Sequence, residues 1–263
     1  MKIKRIHLKS LKNTRDLSGI KTADNKRIRE KLLIRSGNLS KASPEDLKIL
    51  TDGFGLKTIV DLRTDAEINE APDPVIPGVE YVRIPLLDSS FLGIARDEYS
   101  MKAWLNIFSD NGAQPEEIFS QMYQRLVFSE RVKPLIAQFF SVLENSSGAV
   151  LWHCSAGKDR VGVMCVLLLS ALGLQRDDII ADYMATAQFS LPQIIKLRLL
   201  GPFKVQDRRI MRCINVLFGV REEYITEIFE RIDNEFGGTE NFLCESFGLD
   251  SGRIDGLREK FLY

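Results

Sequence analysis

Residues 148–162 constrain this chain more than any other stretch. Ala149-Val150-Leu151-Trp152-His153 is a short apolar run behind a glycine and reads as a strand. Cys154 follows, and then Ser155, Ala156 and Gly157, three small residues that let the backbone turn tightly. The apolar stretch at 161–174 is too short to cross a bilayer and reads as a buried helix. A strand that passes through a tight loop into a buried helix needs layers on both sides of it.

Other short apolar runs bounded by turn residues mark strands at 31–35, 57–62 and 79–84. Between the first two, Ser43 and Pro44 make a good helix start, with Ser43 as N-cap and Pro44 in the first turn. Leu47, Ile49 and Leu50 supply its apolar face, and Thr64 and Asp65 open a second short helix. This alternation predicts an α/β fold with a partly parallel sheet flanked by helices. Residues 87–112 mix aromatics, charges and glycine, which leaves open a long loop or short helices near a site. Apolar residues recur at helical spacing over 115–143, with a break expected at Pro134. Beyond Gly173 the pattern is helical throughout, at 176–187, 191–200, 207–218, 221–236 and 251–262.

Composition narrows the partners. The 263-residue chain carries 36 basic and 36 acidic residues, so net charge supplies no pull toward nucleic acid or an anionic membrane. Cys154, Cys165, Cys213 and Cys244 form no Cys-x-x-Cys pair, and two histidines do not complete a zinc set. Free thiols suit a reducing compartment, and the last three cysteines are expected to pack among apolar residues. The basic first ten residues lack the apolar run of a signal peptide. A cytoplasmic location is therefore expected, with export by a route without a cleaved signal left open. No metal, cofactor, nucleic acid or integral membrane segment is expected, and the oligomeric state is not legible.

The loop itself predicts anion chemistry. Ser155, Ala156 and Gly157 let successive N–H groups converge on one anion, and the helix that follows adds its positive end. Arg160 can grip two phosphate oxygens with paired hydrogen bonds, which a lysine cannot do. The same field favours the thiolate of Cys154, the form that attacks phosphorus. Arg160 and the loop amides then neutralise the transferring group. His153 is read as a residue that orients the loop, since a thiolate in this field needs no base.

His153-Cys154-Ser155-Ala156-Gly157-Lys158-Asp159-Arg160 resembles the His-Cys, five residues, Arg signature of the protein tyrosine phosphatase superfamily. Its Ala-Gly-Lys-Asp-Arg portion is similar to the branch of bacterial atypical tyrosine, dual-specificity and lipid phosphatases. Asn13-Thr14-Arg15-Asp16-Leu17, Leu33-Ile34-Arg35-Ser36-Gly37-Asn38-Leu39, Val60-Asp61-Leu62-Arg63 and Ile180-Ala181-Asp182-Tyr183 resemble that branch in the same order. The resemblance implies one phosphatase domain over 1–263, a catalytic loop at 153–160, and helices at about 188–247 that form a lid or flank. It also implies hydrolysis of phosphate monoesters through a phosphocysteine, with phosphotyrosine in proteins as the first substrate class. A phosphoinositide phosphatase and a phosphate-binding pseudophosphatase are the alternatives.

Individual roles follow from that resemblance. Cys154 is the nucleophile; Ser155, Ala156, Gly157, Lys158 and Arg160 cradle phosphate. Two readings of Lys158 stay open, recognition of a second phosphate and an outward, solvated position. Asp159 is preferred as the acid that protonates the leaving group, with Asp88 as the alternative. Asp61 reads as part of a salt bridge at the strand end, and Arg63 as a residue able to reach the substrate. Asn13, Arg15 and Asp16 anchor the N-terminal segment or brace the loop from behind. Val161 stands where the superfamily usually carries threonine or serine, so slow breakdown of the phosphoenzyme is expected.

Overall fold

The computed structural model describes residues 4–87, 114–200 and 208–263. The chain opens with two short strands, β1 (Lys4–Arg5) and β2 (Arg15–Asp16), followed by β3 (Leu33–Ser36). Helix α1 (Pro44–Lys48) starts on the Ser43 hydroxyl, which accepts the Asp46 N–H, and runs into a π-type turn at Ile49–Gly53. Strand β4 (Leu56–Asp61) leads to α2 (Asp65–Glu70), closed at its start by a reciprocal capping box between Thr64 and Glu67. Strand β5 (Glu80–Arg83), helices α3 (Pro115–Phe128) and α4 (Lys133–Asn145), and strand β6 (Ala149–His153) complete the α/β part. After β6 come α5 (Asp159–Ala171), α6 (Arg176–Met184), α7 (Ala187–Leu200), α8 (Arg208–Phe218), α9 (Glu222–Phe236) and α10 (Thr239–Phe247). Helix α11 (Ser251–Phe261) ends the fold.

The sheet order is β1-β2-β3-β6-β4-β5. Strands β3, β6, β4 and β5 are parallel, and β2 and β1 add on antiparallel at one edge. Every residue of β6 is buried because both sheet faces are covered, which is why the strand reads as an unbroken apolar run. Its side chains alternate between two cores. Val150 and Trp152 join the larger one, with α3, α4, α5 and the C-terminal helices. Ala149 and Leu151 join the smaller, with Ile34, Ile59 and Leu50. Ser36 of β3 and Asp61 of β4 both stand in register with His153, so three strand ends converge where the Cys154 loop begins.

The four expected strands and most expected helices are present. The break at Pro134 lies just before it: α3 ends at Phe128, and Pro134 sits in the first turn of α4, where its missing N–H costs no helical bond. Three features differ from expectation. Strands β1 and β2 are two residues each, too short to carry a period, and exist only by pairing, β2 against β3 and β1 against β2. Helix α10 follows the Gly237-Gly238 pair, a stop signal after which no side chain caps the next start. Cys244 is exposed rather than packed, whereas Cys165 and Cys213 are buried as expected. The region at 88–112, including Asp88, lies outside the described residues.

Leu168 of α5 is fully buried in the larger core. Leu168→Ala should cost about 2–5 kcal/mol of stability in urea unfolding, through lost burial and the cavity left behind.

Candidate active site

The loop is held from behind by its carbonyls. Ser155 O accepts from the Asn38 backbone N–H at 3.2 Å and from Asn38 Nδ2 at 3.3 Å. Asn13 Nδ2 donates to Ala156 O at 3.2 Å and to Gly157 O at 2.8 Å. Arg35 adds a bond to Gly157 O at 3.1 Å. In a trans peptide the N–H of the next residue points opposite to the carbonyl. Tethering carbonyls 155, 156 and 157 therefore turns the N–H groups of Ala156, Gly157 and Lys158 to the other side, the arrangement that receives an anion. Gly157 is required here: its φ is +67°, and a Cβ would lie 2.5 Å from Ser36 O.

The tethers have a buried source. Asp182 of α6 accepts from Arg15 Nε at 3.0 Å and from an Arg35 guanidinium N–H, and all three side chains are buried. Arg15 also donates to the Asn13 side-chain carbonyl, leaving the Asn13 amide aimed at the loop. Burial opposes ionisation of Asp182, but the two arginines outweigh it and hold the carboxyl below its ordinary value. Of the two roles open to Asn13 and Arg15, the structure shows the brace behind the loop. Asp16 instead accepts the backbone N–H groups of Ser18 and Lys31, tying down the N-terminal segment.

Arg160, in the first turn of α5, meets a partner that the sequence reading did not include. Glu67 of α2 takes both ends of the guanidinium, at 2.6 Å each, and also accepts the Ser155 hydroxyl. Burial would raise the Glu67 carboxyl, but the Arg160 hydrogen bonds and charge bring it down to about 2. The Thr64-x-x-Glu67 spacing was a legible capping signal; the contact with Arg160 was not. Cys154 is 2% exposed.

Arg63 is held at the strand ends. Its guanidinium is spent on Asp61 at 2.8 Å, Asp73 at 2.6 Å and Ala71 O at 2.7 Å, so it braces the end of β4 instead of reaching toward a substrate. The salt bridge expected of Asp61 is present. His153 Nε2 lies 3.0 Å from Asp73 Oδ2 but out of line for a hydrogen bond. Asp61, Asp73 and His153 are close enough together to suggest a cation, but Arg63 already supplies the positive charge there, so the donor set does not fit one.

Lys158 is neither outward nor aimed at the cradle. It is 3% exposed, and its ammonium donates to Leu217 O at 2.8 Å and Gly219 O at 2.9 Å, capping the C-terminal end of α8. Asp159 Oδ1 lies 3.3 Å from that ammonium and accepts the Tyr123 hydroxyl at 2.6 Å.

A model of the tyrosine phosphatase family matches residues 6–263. The chain belongs to the tyrosine phosphatase family. A tyrosine-protein phosphatase, so named, of Cupriavidus necator is 30% identical over 94% of this chain and 85% of that one. The triple specificity protein phosphatase PtpB of Mycobacterium tuberculosis is 27% identical over 94% of this chain and 95% of its own. The solved catalytic core of the PP-IP phosphatase SIW14 from S. cerevisiae aligns over 76% of this chain at 12% identity, with a TM-score of 0.33. Membership in the tyrosine phosphatase family makes this chain a cysteine-dependent phosphatase, whose reaction is the hydrolysis of phosphate monoesters.

Two predictions follow from the braces. Asp182→Asn leaves two arginines buried without their counter-charge and should cost about 3–5 kcal/mol in chemical denaturation. Glu67 binds fewer protons folded than unfolded between its ordinary value of 4.5 and about 2, so its contribution is complete above that window and lost as pH falls through it. Acid titration of stability should show a loss on the order of 3 kcal/mol there, and Glu67→Gln should abolish that component.

Proposed function

We propose that this phosphatase acts on phosphotyrosine in proteins, with Cys154 as nucleophile and Asp159 as acid and base. The observation that carries the reading is the set of three tethered carbonyls at 155–157, which turns the N–H groups of 156–158 and the helix end of α5 onto one anion beside Arg160. The Cys154 sulfur attacks phosphorus, the bond to the leaving oxygen breaks, and that oxygen takes the Asp159 proton. Water then attacks the phosphocysteine, gives its proton to the Asp159 carboxylate, and the sulfur–phosphorus bond breaks to release phosphate. Arg160 and the loop amides stabilise the charge on the equatorial oxygens in both steps.

A phosphoinositide has a second phosphate for Lys158 to bind. With its ammonium committed to the α8 carbonyls and Asp159, Lys158 would first have to leave them, which favours the singly phosphorylated substrate. The name of the Mycobacterium tuberculosis relative supports placing phosphoserine and phosphothreonine peptides beside phosphotyrosine peptides in a substrate panel. Contact between Lys158 and the end of α8 supports a covering role for the C-terminal helices over the loop.

Stopped-flow hydrolysis of p-nitrophenyl phosphate should show a burst and then slower turnover, and Cys154→Ser should show neither. Val161→Thr places a hydroxyl beside the loop and should raise the steady-state rate toward the burst rate. Equal burst and steady-state rates in the wild type would remove the basis for slow phosphoenzyme breakdown. Phosphate binding without release of product by the wild type would instead identify a pseudophosphatase.

A further inference from the structure

Asp159 is held by one oxygen only. Oδ1 accepts the Tyr123 hydroxyl at 2.6 Å and lies 3.3 Å from the Lys158 ammonium. Among the described residues no hydrogen bond is recorded for Oδ2, and the side chain is 24% exposed. The phenol that makes this contact comes from α3, far away in sequence, and is itself fixed from every side. Tyr123 is fully buried and stacks on Tyr224 with ring centroids 4.9 Å apart. Its hydroxyl lies 2.7 Å from that of Tyr183 on α6. Tyr183 in turn packs against Gly162 of α5, where a Cβ would come within 3.0 Å of the ring. A chain of two buried phenols thus ends on one carboxylate oxygen at the edge of the catalytic loop.

A phenol is an unusual anchor for a carboxyl group that exchanges protons. Tyr123 stays a donor throughout, because burial and then the Asp159 charge push its phenol well above the ordinary tyrosine range. Oδ1 accepts this bond whether Asp159 is ionised or carries a proton on Oδ2. The contact therefore survives both halves of the reaction and assigns the moving proton to Oδ2, the oxygen that Tyr123 does not hold. Held by Lys158 alone, the carboxyl could rotate and place either oxygen there.

We propose that Tyr123 is the positioning residue of Asp159, fixing Oδ1 so that Oδ2 meets the leaving-group oxygen, with Tyr183 holding the Tyr123 hydroxyl in place. The inference rests on the reading of Asp159 as the acid.

The test is the dependence of kcat/KM on the leaving group, with p-nitrophenyl phosphate and phenyl phosphate as substrates. This quantity reports the steps through phosphoenzyme formation, so slow breakdown does not mask it. Phenolate needs a proton far more than p-nitrophenolate does, and general acids contribute about 10²–10⁴-fold in such cases. Tyr123→Phe should lower kcat/KM for phenyl phosphate about tenfold and change p-nitrophenyl phosphate by less than about twofold. In Asp159→Asn, which should show a larger selective loss, adding Tyr123→Phe should have no further selective effect. An equal loss on both substrates in Tyr123→Phe, with Asp159→Asn still selective, would make Tyr123 a packing residue and overturn the proposal alone. No selectivity in Asp159→Asn would overturn both this proposal and the assignment of the acid. If Tyr123→Phe does not fold, Tyr183→Phe decides, since it leaves the Tyr123 hydroxyl in place but unsupported. A smaller loss confined to phenyl phosphate is expected, and an unselective one counts against the proposal.

Discussion

The buried pairing of Asp182 with Arg15 and Arg35 is the interaction on which the site depends. One carboxylate between two guanidinium groups leaves an excess positive charge in a buried region. Neutral acceptors take the remaining guanidinium N–H groups, and two of them belong to the Cys154 loop or point at it: Gly157 O for Arg35 and the Asn13 side-chain carbonyl for Arg15. Charge balance in the core and carbonyl orientation in the loop are thus one problem with one solution. A buried ion pair is not stabilising by default, since desolvation offsets most of its attraction. Its value here lies in direction. Three elements distant in the chain (β2, β3 and α6) must be in place before the loop amides can face a phosphate.

Around the loop, the remaining charges fall into separate groups. Asp61, Arg63 and Asp73 pair at the strand ends beside His153, and Glu67, Ser155 and Arg160 do so at the start of α5. Lys158 belongs to a third group with the end of α8 and Asp159. Ser155, Lys158, Asp159 and Arg160 each have a partner from a different element, which limits their motion. Glu67 illustrates how economical the arrangement is, since one carboxylate caps α2 and orients Arg160.

Local signals carried far in this chain because the features they report are local. The β6 run, the small residues of the loop and the apolar helix after it are contiguous, so strand, turn and helix could be read in order and Cys154 and Arg160 placed at the helix start. Ser43 and Thr64 announced their helices because an N-cap bonds a residue three positions on. The β1–β2 edge and α10 escaped notice because one lacks a period and the other lacks a cap.

What the sequence determined by itself is the chemistry: a thiol, an arginine and a tight loop at a strand end admit few uses other than phosphoryl transfer. Tertiary structure decided which side chains serve that chemistry. Arg63 is taken up by Asp61, Asp73 and Ala71 O, Lys158 caps a helix 58 to 61 residues further along, Glu67 clamps Arg160, and Tyr123 reaches Asp159 from α3. Long polar side chains carry no periodicity that reveals their partner. Their direction is set by which buried donors and acceptors would otherwise stay unpaired, and that becomes known only when distant elements are packed together.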